Sequence, residues 1–384
     1  AIYGGEDYLS HQLNNATQAV YEVGSTMKPF ALLTAIEQGT SLDTVFNGNS
    51  PREFKGLGST MSNSGNASYG YINLYQATAN SVNTVYMDMA QHLGNNFGAA
   101  EIAETAHKAG VSTDITTEGQ GAAYTVLGND GLTVKDMTQA YATFANGGAK
   151  ATLHIVARVL ESSGADLYAA PTTTEQVFDA NDVALLDKAL TGVVTSGTGK
   201  TLSSLNVTLA GKSGTANDNK SVSFIAFTPN LVTTVALWNP GSDGSAQEMP
   251  TIGGYPHGMG YPVTLVKQYL GQALKGATDT KFPDAKDNGK VGGKDGTWGT
   301  GARKATSTAT PSANSSTSPS ANSSANPSAS PSASPSATPS KSASPTPSPS
   351  ASKSSSPSAS ASSSAGSGQQ ASGEGKEESQ SSTE

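Results

Sequence analysis

The 384 residues carry 30 acidic against 22 basic side chains, a net charge of −8 without a basic stripe, which gives nucleic-acid binding little support. The absence of cysteine excludes disulfides, thiol nucleophiles and cysteine metal sites, and no apolar run reaches the ~18 residues a membrane span needs. These averages conceal two different polymers. From Ala305 to Glu384 there is no Val, Ile, Leu, Met, Phe, Tyr or Trp, and ten of the nineteen prolines lie there in Ser-Pro-Ser-Ala-like repeats. Such a segment cannot bury enough apolar area to offset chain entropy and is expected to be disordered, like a wall-spanning or mucin-like stalk. Residues 1–275 are long enough for one sizeable domain with its own core, and 276–304, rich in Gly, Lys and Asp, reads as a linker.

In chain order, Ala1–Tyr3 reads as a short strand ending at Gly4-Gly5, and the polar stretch from Leu9 to Gly24 delivers the chain to Ser25. An apolar helical pattern runs through Ala31, Leu32, Leu33, Ala35 and Ile36 to a stop at Gly39. Asn47–Gly70 is loop-like, and helical periodicity returns from Ile72 to Leu93. Ala99–Ala109, Val134–Phe144 and Asp182–Val194 also read as helices, and Leu153–Leu160 as a strand. Leu209–Thr215, Ser221–Phe227 and Leu231–Trp238 read as three strands, the last two joined by the turn Thr228-Pro229-Asn230 into an antiparallel hairpin. Helix Val263–Leu274 closes the folded part. The expected fold is α/β (α+β): an antiparallel sheet flanked by helices, with a disordered C-terminal tail.

Three short patterns carry chemistry. Ser25-Thr-Met-Lys28 places a serine and a lysine three residues apart on one helix face. An ammonium in the first turn meets the positive end of the helix dipole, and burial also penalises the charge, so a neutral amine is favoured. A neutral Lys28 can take the proton of Ser25 and make a nucleophile, and Pro29 is tolerated that early in a helix. Alone the pattern is weak: Ser350-Ala-Ser-Lys353 repeats it in the tail, and an N-cap serine followed by a solvated lysine is the plainer reading of a lone match. Ser81-Val-Asn83 is also weak on its own, since Ser64-Gly-Asn66 and Ser204-Leu-Asn206 also match, and a helix-start polar pair is the plainer reading. Lys212-Ser213-Gly214 occurs once, inside a predicted strand where glycine marks a close approach. It reads either as an edge strand guarded by lysine or as a strand that pairs with an extended peptide and binds its carboxylate. His11, His92, His107, His154 and His257 are scattered without metal-ligand spacing, and neither a metal nor a cofactor is expected.

Taken together, the three motifs resemble the penicilloyl-serine transferase family of penicillin-binding proteins and serine β-lactamases. Tyr3–Tyr8, Asn14–Ala19, Gly24–Phe30, Ala79–Thr84, Val194–Lys200 and Gly211–Thr215 look like the transpeptidase domain of bifunctional, class A penicillin-binding proteins. The resemblance implies a β-lactamase/transpeptidase-like fold and a D,D-transpeptidase that cross-links peptidoglycan stem peptides ending in D-Ala-D-Ala and is acylated by β-lactams. It implies Ser25 as nucleophile, Lys28 as its base, Ser81 as proton relay, Asn83 as holder of the substrate amide and Lys212 as the source of a positive field. Ser213 and Thr215 would bind the terminal carboxylate, and the backbone N–H groups of Ser25 and Thr215 would form the oxyanion hole. Lys-Ser-Gly in place of the commoner Lys-Thr-Gly keeps the hydroxyl. The strand that precedes Ala1 in such domains, the glycosyltransferase domain and the membrane anchor are expected upstream in a longer, extracytoplasmic protein of the cell envelope. A D,D-carboxypeptidase or β-lactamase-like hydrolase, a non-turnover β-lactam sensor and a wall-binding module are the alternatives.

Overall fold

The strand Ser221–Thr228 is buried at all eight positions, and the fold is built outward from it. The computed structural model describes residues 1–7, 9, 12–241, 245–293 and 296–299. In chain order the elements begin with β1 (Val20–Glu22), α1 (Lys28–Glu37), β2 (Val45–Asn47), β3 (Arg52–Glu53), β4 (Thr60–Met61) and β5 (Tyr71–Asn73). Then come α2 (Leu74–Ala79), α3 (Asn83–Ala90), α4 (Asn95–Ala109), β6 (Gly131–Thr133), α5 (Val134–Ala145), β7 (Ala149–Ala151), β8 (Arg158–Leu160) and β9 (Asp166–Ala169). The chain closes with β10 (Thr174–Gln176), α6 (Ala180–Thr195), β11 (Ala210–Thr215), β12 (Ser221–Thr228), β13 (Leu231–Pro240), β14 (Ala246–Gln247) and α7 (Tyr261–Ala273).

The main sheet has the order β11-β12-β13-β14, antiparallel throughout, which places the Lys-Ser-Gly strand at an edge. The β12–β13 hairpin turns between Thr228 and Leu231, where the sequence predicts it. Helices α5, α6 and α7 pack on this sheet, and α1 runs through the middle of the helical layer, buried along its whole length except Glu37. Phe30 of α1 meets Tyr141 and Phe144 of α5, and Tyr141 meets Phe227 of β12 edge-on at 6.0 Å, so one aromatic chain ties helix to sheet. Local signals set the helix starts: Asn73 and Gln76 form a reciprocal capping box at α2, while Thr133 and Asp179 cap α5 and α6.

Several expectations change. Ala1–Tyr3 is exposed and forms no strand, since it pairs with no strand among the described residues; the first strand among them is β1, which pairs with β6. The helix expected from Ile72 to Leu93 is broken. Val82 N–H bonds to Ala77 O and Ser81 N–H to Thr78 O, the paired bonds of a Schellman cap, with Ser81 at φ +56 in the left-handed place usually taken by glycine. Of the strand expected over Leu153–Leu160 only β8 forms, in an exposed hairpin with β9. The loop-like stretch Asn47–Gly70 is closed at its base by β2–β5 pairing and folded back as the hairpin β3–β4. Arg52 fastens that hairpin to α3 through Asp88 (Nη2–Oδ2 2.7 Å).

The segment after Lys275 has no helix or strand among its described residues, yet it is tied to the domain. Phe282 packs edge-on against Phe227 at 5.5 Å, Asp287 accepts from Ser41 Oγ and Leu42 N, and Trp298 stacks on His92 and leans on Phe46. The tail expected from Ala305 onward lies outside the described residues. Among the described residues no helix is long and apolar enough to cross a membrane.

Candidate active site

Three elements converge on one site: the turn before α1, the break between α2 and α3, and the edge strand β11. Ser25 lies in a single 3-10 turn, Gly24–Met27, that runs directly into α1, and Lys28 is the first residue of that helix. Ser25 is partly exposed, and its hydroxyl and N–H make no hydrogen bond among the described residues. Lys28, one turn further, is fully buried.

Lys28 Nζ lies 2.7 Å from Ser81 O, 2.7 Å from Asn83 Oδ1 and 3.2 Å from Ser81 Oγ, with the Tyr86 ring 5.4 Å away. The two short contacts end on carbonyl oxygens, which can only accept, and a neutral amine has two N–H bonds to give. The longer contact ends on a hydroxyl, which can itself donate. Burial holds the Lys28 pKa well below the ordinary lysine value, and the neighbouring Lys212 pushes it the same way. Lys212 is also fully buried; its Nζ donates to Ser81 Oγ at 2.7 Å and to Ser213 O at 2.9 Å, and burial lowers its pKa to about 7. One hydroxyl, that of Ser81, therefore sits between two buried amines. The left-handed turn at Ser81 makes this possible by aiming both its carbonyl and its hydroxyl at Lys28.

Asn83 opens α3 and bridges outward: its Nδ2 donates to Ser62 O at 2.9 Å, beside the β3–β4 hairpin. On β11, Ala216 N–H bonds to Ser221 O, so Thr215 and Ser213 fall at the alternate, non-bonded positions. Their backbone groups face away from β12, toward the turn that carries Ser25. Gly214 makes the approach close: a Cβ there would lie 2.6 Å from Val23 O. Ser213 is partly exposed, and Thr215 exposed, along the same edge.

A sequence model of the penicillin binding protein transpeptidase domain matches residues 1–251. The chain belongs to this family. It is 31% identical over 291 residues to penicillin-binding protein 1A of Neisseria flavescens, covering 72% of this chain and 34% of that protein. It is 30% identical over 315 residues to penicillin-binding protein 1A of Mycolicibacterium smegmatis, covering 76% and 38%. The chain thus spans about a third of the length of these curated relatives. In fold it resembles the crystal structure of penicillin-binding protein 1A from Haemophilus influenzae, with a TM-score of 0.63 at 23% identity over 73% of this chain and 46% of that one. It also resembles PonA1 from Mycobacterium tuberculosis in complex with penicillin V, with a TM-score of 0.59 at 24% identity over 76% and 78%.

Within this family fold, Ser25, Lys28, Ser81, Asn83, Lys212, Ser213 and Thr215 are all brought together, while Ser350 and Lys353 lie outside the described residues. Two groups escaped the motif reading, and a third entered it only as part of the stretch Val194–Lys200. Tyr86 walls the Lys28 pocket, Ser62 supplies a carbonyl to Asn83, and Thr198 Oγ1 lies 2.9 Å from Ser213 Oγ. Only Thr198 left a trace in the sequence, as the middle of Gly197-Thr198-Gly199.

Proposed function

We propose that the chain carries the acyl-transfer site of a D,D-transpeptidase that cross-links peptidoglycan stem peptides, and that β-lactams acylate the same serine. The observation that carries this reading is the pair of buried amines on Ser81 Oγ, Lys28 at 3.2 Å and Lys212 at 2.7 Å, because it equips the site to move a proton in two directions. Neutral Lys28 removes the Ser25 proton as Oγ attacks the carbonyl carbon of the penultimate D-Ala. The oxyanion that forms is held by the N–H groups of Ser25 and Thr215. The proton returns through the Ser81 hydroxyl to the amine of the leaving D-Ala, and the C–N bond breaks to give the Ser25 ester. An amine of a neighbouring stem peptide then attacks the ester, and Ser25 regains its proton.

Lys212, kept protonated, supplies the positive field that keeps Lys28 neutral and draws the substrate carboxylate to Ser213 and Thr215. Asn83 Oδ1 uses one lone pair on Lys28 and keeps a second for the substrate amide. It therefore both orients the base and holds the substrate. The free edge of β11 fits an extended peptide added as a strand. By this reading the protein works outside the membrane, in the cell envelope. The test is turnover of a D-Ala-D-Ala donor with an amine acceptor: release of D-Ala together with a new amide supports transpeptidation. Release of D-Ala at a rate indifferent to the acceptor identifies a carboxypeptidase instead.

A further inference from the structure

Ser213 and Thr198 meet through their side chains, and their contact is of a particular kind. Their hydroxyl oxygens are 2.9 Å apart, so one donates to the other. Two hydroxyls hold two protons, and this bond consumes one, leaving a single proton directed elsewhere. Lys212, beside them, takes the Ser213 carbonyl and not its hydroxyl.

The position of Thr198 is tightly fixed. Its N–H donates to Ala79 O at 3.1 Å, two residues before Ser81. On one side Gly197 lies so close to Ala79 O that any Cβ would overlap it; on the other, a Cβ on Gly199 would lie 2.7 Å from the Phe224 ring. The backbone around Thr198 is thus clamped between the end of α2 and Phe224 of β12, while the residue itself stays exposed. A clamped backbone with an exposed hydroxyl suits a group that orients a ligand contact rather than one that fills a core.

We propose that Thr198 is a positioning residue for carboxylate recognition: its hydroxyl donates to Ser213 Oγ and turns the Ser213 O–H toward the anionic terminus of the acyl donor. A hydroxyl that accepts one hydrogen bond is a stronger donor in the next, so the pair serves an anion better than either serine or threonine alone. The same polarity works against donors whose carboxylate is masked. Thr198 thereby selects among acyl donors without touching the reacting atoms, and this inference rests on the acyl-serine reading above.

The experiment is the rate of Ser25 acylation by benzylpenicillin and by its methyl ester, measured for the parent, Thr198→Val, Thr198→Ser and Ser213→Ala, each with its melting temperature. Thr198→Val is expected to slow acylation by the free acid about three- to tenfold, the worth of one hydrogen bond, through weaker initial binding. The ester is expected to react equally with parent and variant, and Thr198→Ser is expected to restore the parent rate. In the Ser213→Ala background the Thr198→Val change is expected to have no further effect on the acid. Equal slowing of acid and ester, or full additivity with Ser213→Ala, overturns the role of Thr198 while leaving the acyl-serine site intact. A parent that melts cooperatively but is never acylated overturns the underlying reading, and this inference with it.

Discussion

At the residue scale the proposed proton path needs two buried amines, Lys28 and Lys212, in different charge states. Lys28 must be neutral and Lys212 charged for the proton path to run, and their burial and mutual repulsion separate them in that sense. Acylation should therefore rise with pH as the pair loses its first proton and fall as Lys212 loses its own, near pH 7, giving a bell-shaped profile in kcat/KM. Replacing Lys212 by Met removes the repulsion, so the rising limb should move to higher pH; an unmoved limb would show that the two amines do not communicate. Stability should run the other way. The native state holds the Lys212 proton less tightly than the unfolded chain, so between about pH 7 and the ordinary lysine value the unfolded state binds more protons. Native stability relative to the Lys212→Met variant should climb through that window and be lowest below it, which urea unfolding at several pH values would read. Lys28→Met should slow acylation by about 10²- to 10⁴-fold, the usual cost of losing a general base, without abolishing a cooperative melt.

At the element scale the site depends on how helices end and how closely strands approach. Ser81 reaches two amines because α2 ends at Ala79 in a Schellman cap whose left-handed residue is Ser81 itself. This explains what the sequence could and could not disclose. The apolar periodicity from Ile72 to Leu93 is continuous and contains no glycine at the break, so the pattern predicts one helix and hides the device that builds the site. The Lys-Ser-Gly strand and its hairpin were legible because β-branched runs and a Pro-Asn turn are local signals. The order of strands, the pairing of β1 with β6 and the Thr198 contact were not, since each joins segments far apart in the chain. The β3–β4 hairpin beside Asn83 is held by Arg52 on Asp88, a largely buried pair. Asp88→Asn should cost about 2–4 kcal/mol by chemical denaturation, because a guanidinium is left with half its partner. A variant as stable as the parent would show that the hairpin is held by its backbone contacts alone.

For the whole molecule, packing contacts continue past the last helix. Phe282, Asp287 and Trp298 fasten the segment after Lys275 onto β12, the loop that follows α1, β2 and His92 beyond α3, although its composition resembles that of a linker. A chain ending at Lys275 should melt several degrees lower than one ending at Lys304, while removing Ala305–Glu384, which contains no large apolar residue, should leave the melting temperature within about 1 °C of the parent. Equal melting of all three would place the boundary at Lys275 after all. The central claim, that Ser25 is an acylated nucleophile set up by Lys28, is tested most directly by treating the folded chain with benzylpenicillin and mapping the adduct by mass spectrometry. The account predicts one adduct, on Ser25, lost in Ser25→Ala and retained in Ser350→Ala. An adduct on any other residue, or none on a chain that melts cooperatively, would contradict it.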